Sequence, residues 1–258
     1  MNADLLDRIL ADKRARLERG EYAVSPDETA VVAPDGKRFV ASLREPGVRV
    51  IAEFKHRSPS AGEILPGADG KVETFALAYR RGHAAAISVV TEEDHFGGKP
   101  EWLPRAKRIS GLPALMKDFF LDERQLDFAA SIGADAVLLI ARALDGAQLP
   151  ALARAAKQRG LAVVAEAHGG EEIARAGECE PDVLGVNARD LATFATDLDA
   201  LEALAREIPP GPVRLAESGI KSRADVERLR RAGYEAFLVG ETLLRSDDPE
   251  EALRDLKK

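Results

Sequence analysis

Glu53, Lys55, Lys117 and Glu166 each sit at the end of a short apolar run. A buried charge there is costly unless it is paired or functional. Glu53 and Lys55 close the run Val50–Phe54, Lys117 follows Ala114–Met116, and Glu166 follows Ala162–Ala165. In an extended chain alternate residues share a face, so Glu53 and Lys55 point one way and Ala52 and Phe54 the other. Any one of these groups reads equally as part of a structural ion pair. Four converging on one cavity are a different matter, because burial and neighbours tune the pKa values of lysines and carboxylates for proton transfer.

The exits of the other apolar runs carry residues of the same kind. They are Thr91 and Glu92, Arg142, His168 two residues after Glu166, Asn187 and Arg189, Glu217-Ser218-Gly219, and Gly240-Glu241. The starts of the runs carry nothing comparable. Gly219 and Gly240 stand at the last two exits, where a bare main chain suits an anion such as phosphate. Taken singly, each glycine also simply makes a turn. Asn187 is the one asparagine of the chain besides Asn2.

Such exits share one mouth only if the strands run parallel. The apolar runs are Val50–Phe54, Ala85–Val90, Ala114–Met116, Ala136–Ile140, Ala162–Ala165, Val183–Val186, Val213–Ala216 and Ala236–Val239. Each is short and hardly alternates, as in strands buried on both faces. Amphipathic stretches of helical length separate them, and Gly82, Gly133 and Gly233 are expected as left-handed helix caps. Eight such units in 258 residues predict an α/β fold, the (β/α)8 TIM barrel, with its chemistry at the C-terminal ends of the strands. An open doubly wound sheet is the rival, but no G-x-G-x-x-G follows the first strand. Residues 1–48 read as an N-terminal helical extension: a helix over Asp4–Glu18 stopped at Gly20, then a connector with Pro26, Pro34 and Pro46 and a short helical piece at Phe39–Leu43. Residues 49–258 form the barrel, the whole being one domain. The Ser-Pro-Ser-Ala-Gly run within 56–67 is a lid candidate.

Composition narrows the partners. A net charge of −7 argues against nucleic acid, which wants a basic surface. No apolar run has membrane-spanning length, and the start lacks a signal-peptide core, so the expected location is cytoplasmic. Cys179 is the single cysteine, and no His and carboxylate spacing suggests a metal. The oligomeric state is left at a monomer or weak dimer. His83 reads as a surface residue, His95 as part of a loop, and Met116 and Trp102 as packing.

The segment Ile51-Ala52-Glu53-Phe54-Lys55-His56-Arg57-Ser58-Pro59-Ser60 resembles the signature of indole-3-glycerol phosphate synthases. The resemblance continues through Ile9 and Lys13, Val90-Thr91-Glu92 with Phe96-Gly97-Gly98, and Met116-Lys117-Asp118-Phe119. It extends over Ala165-Glu166-Ala167-His168, Val186-Asn187-Ala188-Arg189-Asp190-Leu191, Glu217-Ser218-Gly219-Ile220 and Leu238-Val239-Gly240. It implies a carboxy-lyase of tryptophan biosynthesis. Such an enzyme closes the ring of 1-(2-carboxyphenylamino)-1-deoxyribulose 5-phosphate, then releases CO2 and water, without metal or organic cofactor. It further implies Lys117 as general acid, Glu166 as general base and Lys55 as second lysine, leaving open which lysine protonates the departing hydroxyl. Glu53 would pair with lysine. Asn187 would bind a hydroxyl and hold the second lysine's surroundings. Arg189 and Ser58 would attend the anthranilate carboxylate. Glu217 and Ser218 would bind ribulose hydroxyls, and Gly219, Gly240 and the Glu241 N–H, with Lys55, the phosphate. Phe96 and Phe119, with Leu139 deeper, would wall the ring. The chain departs from the family at Ala188, where an asparagine is common, at Glu241, where serine is common, and at His95. A phosphoribosylanthranilate isomerase-like enzyme would need a catalytic Cys/Asp pair, and Cys179 is misplaced for that. A phosphate-binding barrel without turnover, or with an altered substrate, is the other alternative.

Overall fold

The computed structural model describes residues 3–24, 33–189 and 196–258; Pro26, Asp190 and Leu191 lie outside the described residues. Eight parallel strands close on themselves: β1 (Arg49–Phe54), β2 (Ala86–Val90), β3 (Ala114–Lys117), β4 (Ala136–Ile140), β5 (Ala162–Ala167), β6 (Val183–Asn187), β7 (Val213–Glu217) and β8 (Ala236–Val239). β1 pairs with both β2 and β8, which completes the ring. The fold is the (β/α)8 barrel the apolar rhythm predicts. Most strand bounds match the sequence reading, but β5 runs two residues further and takes Glu166 into the sheet.

Helices α1 (Ala3–Glu18) and α2 (Gly36–Arg44) precede the barrel. The ring of helices around it consists of α3 (Val72–Arg81), α4 (Trp102–Ser110), α5 (Glu123–Ser131), α6 (Gln148–Gln158), α7 (Gly170–Glu178), α8 (Leu198–Leu204), α9 (Arg223–Ala232), α10 (Glu241–Leu244) and α11 (Pro249–Lys257). Local chemistry starts several of them. Asp122 and Ser222 form capping boxes with Gln125 and Asp225, each satisfying helix N–H groups that would otherwise lack partners.

Period-two alternation sorts the strand side chains. Val50, Ala52, Phe54, Val89, Met116 and Leu139 pack outward in one continuous core with the helices. Ile51, Leu115, Leu138, Val164, Leu215 and Leu238 point inward and join a second core. Leu139, expected as a wall of the cavity, is therefore in the outer core; Leu138 and Ile140 have the inward parity.

The two leading helices close the ends of the cylinder. α1 lies at the C-terminal mouth, where Leu5 and Leu6 line the cavity. α2 lies across the floor. The Asp35 side chain caps it by accepting from the Arg38 N–H, 2.9 Å. Phe39 and Leu43, one turn apart, are fully buried against the inner core. Gly36 is required there, since a Cβ would fall 2.5 Å from the Ala162 nitrogen. The helical piece in the 20–48 connector is thus longer than Phe39–Leu43.

Two further details differ from the sequence reading. Gly82 ends α3 with φ −73°, so it is not a left-handed cap; that conformation falls on His83, φ 59°. Gly82 is needed for space instead, as a Cβ would lie 2.8 Å from Leu253 of α11. Gly133 and Gly233 have positive φ as expected. The 56–67 segment contains a small antiparallel hairpin, Arg57–Ser58 against Gly62–Glu63. It is moored by the Arg57 N–H donating to the Phe96 carbonyl, 3.2 Å, and by the Ile64 and Leu65 N–H groups donating to the His56 carbonyl.

Phe39→Ala should cost about 3–5 kcal/mol, the usual range for emptying a core phenylalanine site, read from urea unfolding. A loss below ~1 kcal/mol, typical of a surface change, would mean that α2 does not seal the floor.

Candidate active site

Glu53, Lys117, Glu166 and Glu217 come from β1, β3, β5 and β7. Barrels fill their interiors with layers of four side chains drawn from alternate strands, and here the uppermost such layer is ionisable. Apolar layers lie beneath it. Glu53, Glu166 and Glu217 are buried, and all four residues face a cavity of about 530 Å³ at the C-terminal mouth.

Lys117 is the centre of this layer. Its Nζ donates to Glu166 Oε2 at 3.1 Å and to Glu217 Oε2 at 3.3 Å. Burial alone would lower its pKa, but Glu217, Glu166 and Glu53 outweigh burial and hold it charged, well above the ordinary lysine value. Lys55 Nζ donates to Glu53 Oε1. Burial would push Glu53 up; Lys55 and then Lys117 hold it below the usual carboxylate range. Glu166 is likewise held down against its burial, by Lys117, His168 and the Asn187 side chain. Glu217 goes the other way: burial pushes it up, Lys117 offsets only part of that, and Glu166 and Glu53 push it further.

Two glycines make room for these carboxyl groups. A Cβ on Gly185 of β6 would fall 2.2 Å from Glu217 Oε1, and one on Gly240 would fall 2.5 Å from Glu53 Oε1. Gly240 thus seats Glu53, a demand invisible in the sequence, which suggested only the approach of an anion. Gly219 has φ 77° and follows Ser218 at φ 68°, a strained value for a non-glycine residue. Thr242 Oγ1 donates to the Ile220 carbonyl at 2.7 Å and ties the turn after β7 to the one after β8.

The remaining expected residues also line this cavity: Lys55, Ser58, Phe96, Phe119, Asn187, Arg189, Ser218, Gly219, Gly240 and Glu241. Phe96 and Phe119 stand with ring centroids 6.2 Å apart. Asn187 bonds Glu166 and accepts from the Arg189 N–H, 3.0 Å; the second lysine, Lys55, is bound to Glu53. Arg189 Nη1 donates to Ser60 Oγ at 2.6 Å, and Ser60 lies 3.2 Å from Ser58 Oγ. Arg189 is anchored despite Ala188, whose N–H donates to the Glu217 carbonyl, 2.9 Å. The Glu241 carboxylate accepts from Arg245 Nε, 2.9 Å, and both residues line the cavity. His95 Nε2 lies 2.9 Å from Asp12 Oδ2 and joins its loop to α1.

Sequence reading missed several lining residues. Leu5 and Leu6 of α1 are there, and only the folding back of the extension reveals them. Ile140 and Leu138 follow from strand parity alone. Lys221 is there as well, and Arg142 and His168, expected among the strand exits, also line the cavity. His168 Nδ1 lies 3.2 Å from Glu172 Oε2 and its Nε2 lies 3.3 Å from Glu166 Oε1. Arg142 holds Glu172 at 2.6 Å.

A closed parallel barrel with lysines and carboxylates around one cavity at the strand exits defines an acid–base enzyme acting on a small organic molecule. A family model described as Indole-3-glycerol phosphate synthase matches residues 6–256, and the chain belongs to that family. An indole-3-glycerol phosphate synthase of Koribacter versatilis is 43% identical, covering 97% of this chain and 98% of the relative. One of Geobacillus thermodenitrificans is 42% identical over 96% and 95%. Among solved structures, 3-hexulose-6-phosphate synthase from Salmonella typhimurium superposes with a TM-score of 0.63 at 17% identity, covering 81% of this chain and 96% of that one. A tryptophan synthase α-subunit from Pyrococcus furiosus gives 0.60 at 14%, covering 87% and 99%. The likeness to these two structures is one of fold.

Gly185→Ala should destabilise the protein by about 1–3 kcal/mol through overpacking against Glu217. The cost should vanish in a Glu217→Ala background, and a double-mutant cycle by urea unfolding reads the difference. Glu172 is held at about 2 against an ordinary 4.5: burial raises it, and His168 and Arg142 outweigh burial. Its folded value lies below the unfolded one, so its stabilisation is full above pH 4.5 and is lost as pH falls toward 2. Glu172→Gln should flatten that part of the stability profile.

Proposed function

We propose that this chain works as its family's name states, converting 1-(2-carboxyphenylamino)-1-deoxyribulose 5-phosphate to indole-3-glycerol phosphate, CO2 and water in a cytoplasmic biosynthetic setting. The single observation that carries the mechanism is that Lys117 and Glu166, an ammonium and a carboxylate 3.1 Å apart, open onto the same cavity. Among the described residues, no group of histidine, cysteine and carboxylate side chains could hold a metal ion, and no helix is long and apolar enough to cross a membrane.

Ring closure attacks the substrate's carbonyl carbon, and its oxygen needs a proton as negative charge develops. Lys117 has that proton and holds it firmly in the free enzyme. Once closure has occurred, loss of CO2 restores the aromatic ring. Departure of the hydroxyl as water needs an acid on the oxygen and a base for the proton the ring gives up; Glu166 is the base. Lys55 and Glu53 form a neighbouring pair that orients the oxygen-bearing carbon. Arg189, seated on Ser60 beside Ser58, faces the anthranilate carboxylate. Phe96 and Phe119 flank the ring with Leu5, Leu6 and Leu138. Ser218 and Glu217 meet ribulose hydroxyls. The phosphate takes the turns at Gly219 and Gly240 and the Glu241 N–H, with Lys55 and Lys221 supplying charge.

Lys117→Ala and Glu166→Ala should each lower kcat by ~10²–10⁴-fold, the usual contribution of a general acid or base, with circular dichroism unchanged. The assay follows indole fluorescence in metal-chelated buffer. Wild-type-like turnover in either variant removes that residue from its role. Tight binding of the substrate by the wild-type protein with no turnover would favour the non-catalytic barrel instead.

A further inference from the structure

The reaction proposed above delivers two protons to one oxygen. The first makes the carbonyl oxygen a hydroxyl, and the second carries that hydroxyl away as water. One proton returns from the ring to Glu166. Departure of a carboxylate as neutral CO2 therefore leaves a net uptake of one proton per turnover. If Lys117 serves in both deliveries, it must be recharged between them.

The cavity holds a group placed to do this. Three buried carboxyl groups, Glu53, Glu166 and Glu217, face two ammonium groups, Lys55 and Lys117. Glu53 has Lys55. Glu166 has Lys117 at 3.1 Å and the Asn187 side chain. Glu217 has only the longer, shared bond from Lys117, 3.3 Å, among the described residues. Its other oxygen, Oε1, is buried with no hydrogen-bond partner and rests against the bare Cα of Gly185. An anionic oxygen in that position has neither water nor a donor, whereas a neutral carboxyl group there escapes most of the desolvation cost. The charged groups acting on Glu217 are Lys117 from β3, Glu166 from β5 and Glu53 from β1, and Gly185 of β6 lies against Oε1; Lys55, which follows β1, His168, which follows β5, and the uncharged Asn187 line the same cavity. His168 has its Nδ1 beside Glu172 and leaves Nε2 without a hydrogen bond, so Lys117 is the hydrogen-bonded cation that Glu166 and Glu217 share.

We propose that Glu217 stands as a carboxylic acid in the free enzyme and recharges Lys117 between ring closure and loss of water. The proposal rests on the reading of Lys117 as the general acid. Lys117 gives one proton to the substrate oxygen and becomes an amine. The O–H bond of Glu217 then breaks, an N–H bond forms on Nζ, and a carboxylate is left beside the restored ammonium. Lys117 protonates the departing hydroxyl while Glu166 takes the proton lost by the ring. The proton on Glu166 and one from solvent return Lys117 and Glu217 to their starting state. The upward push of burial and of two neighbouring carboxylates on Glu217 supports this assignment.

Glu217→Gln keeps the shape and an acceptor for Lys117 but has no proton to give. In single turnovers with excess enzyme, the rate of indole formation relative to that of CO2 release should fall by ~10²-fold from its wild-type ratio. The decarboxylated, still hydroxylated intermediate should build up and be visible by mass spectrometry of quenched samples. Glu217→Asp, which retains an acid, should recover part of the second phase. Infrared difference spectra of wild type against Glu217→Gln at neutral pH should show a carboxylic-acid carbonyl band that the variant lacks. Equal slowing of both phases, slowing of neither, or absence of that band overturns the proposal. A wild-type protein that releases neither CO2 nor indole would instead overturn the function reading and with it the recharging step, and the infrared band would still decide whether Glu217 carries a proton.

Discussion

The ammonium of Lys117, buried among carboxyl groups at the top of the barrel, is the interaction on which the site depends. Removing such charges from water costs several kcal/mol per ion, and only close, well-oriented partners offset it. A closed cylinder supplies that geometry because strand parity leaves each inward residue no choice of direction. Glu53, Lys117, Glu166 and Glu217 occupy alternate strands of one layer, so their side chains converge from four sides. The intervening strands must then yield space, and Gly185 and Gly240 do so where any Cβ would strike a carboxylate oxygen. Charge placement and glycine placement are two aspects of one packing problem.

The two helices ahead of the barrel belong to the same problem. Lys117 lines the cavity, and the carboxylate of Asp118, next along the chain, is taken up by other partners. Asp118 accepts from Thr91 Oγ1 at 2.9 Å and pairs with Lys13 of α1 at 2.6 Å. Lys13 also donates to the Tyr22 hydroxyl, 2.9 Å. Burial would lower the pKa of Lys13, but Asp118 and Tyr22 hold it well above the ordinary value. A buried ion pair thus fixes the main chain on one side of the acid and draws α1 over the mouth, where its leucines form part of the cavity. α2 does the opposite service at the floor with Phe39 and Leu43.

Much of this could be read from the chain alone. Eight apolar runs gave the barrel, and the polarity of their exits gave the mouth, because a parallel barrel places every exit at one end. Pairwise side-chain contacts were less legible. Leu139 faces the outer core: in the wholly apolar run Ala136–Ile140 the inward parity is marked only by Arg142 beyond the strand, and counting back by twos reaches Ile140 and Leu138. Gly240 was read as an anion seat, and its collision with Glu53 depends on register between β8 and β1, which no local pattern encodes. Gly82 illustrates the same limit: its need for space comes from Leu253, far along the chain. His168 stands at a strand exit without metal-ligand spacing, and its contacts are Glu166 on one side and Glu172, four residues on, at the other. That i,i+4 relation was present in the sequence and went unused.

The excess of carboxyl groups over ammonium groups also bears on how an anionic substrate enters. A phosphate placed beside Glu53, Glu166 and Glu217 would meet repulsion at short range in a poorly screened cavity. In the reaction proposed above, the turns after β7 and β8 would meet the phosphate with main-chain N–H groups, with Lys221 lining the same cavity. In the same reaction, the substrate's own carboxylate would be met by Arg189, which follows β6 and is held toward the segment after β1 by its hydrogen bond to Ser60. With both anionic ends so anchored, only the uncharged carbonyl would approach Lys117. That division lets Lys117 keep its hydrogen bonds to Glu166 and Glu217 in the free enzyme and still meet an electron-rich oxygen in the complex, since the oxygen becomes strongly basic only as the ring closes.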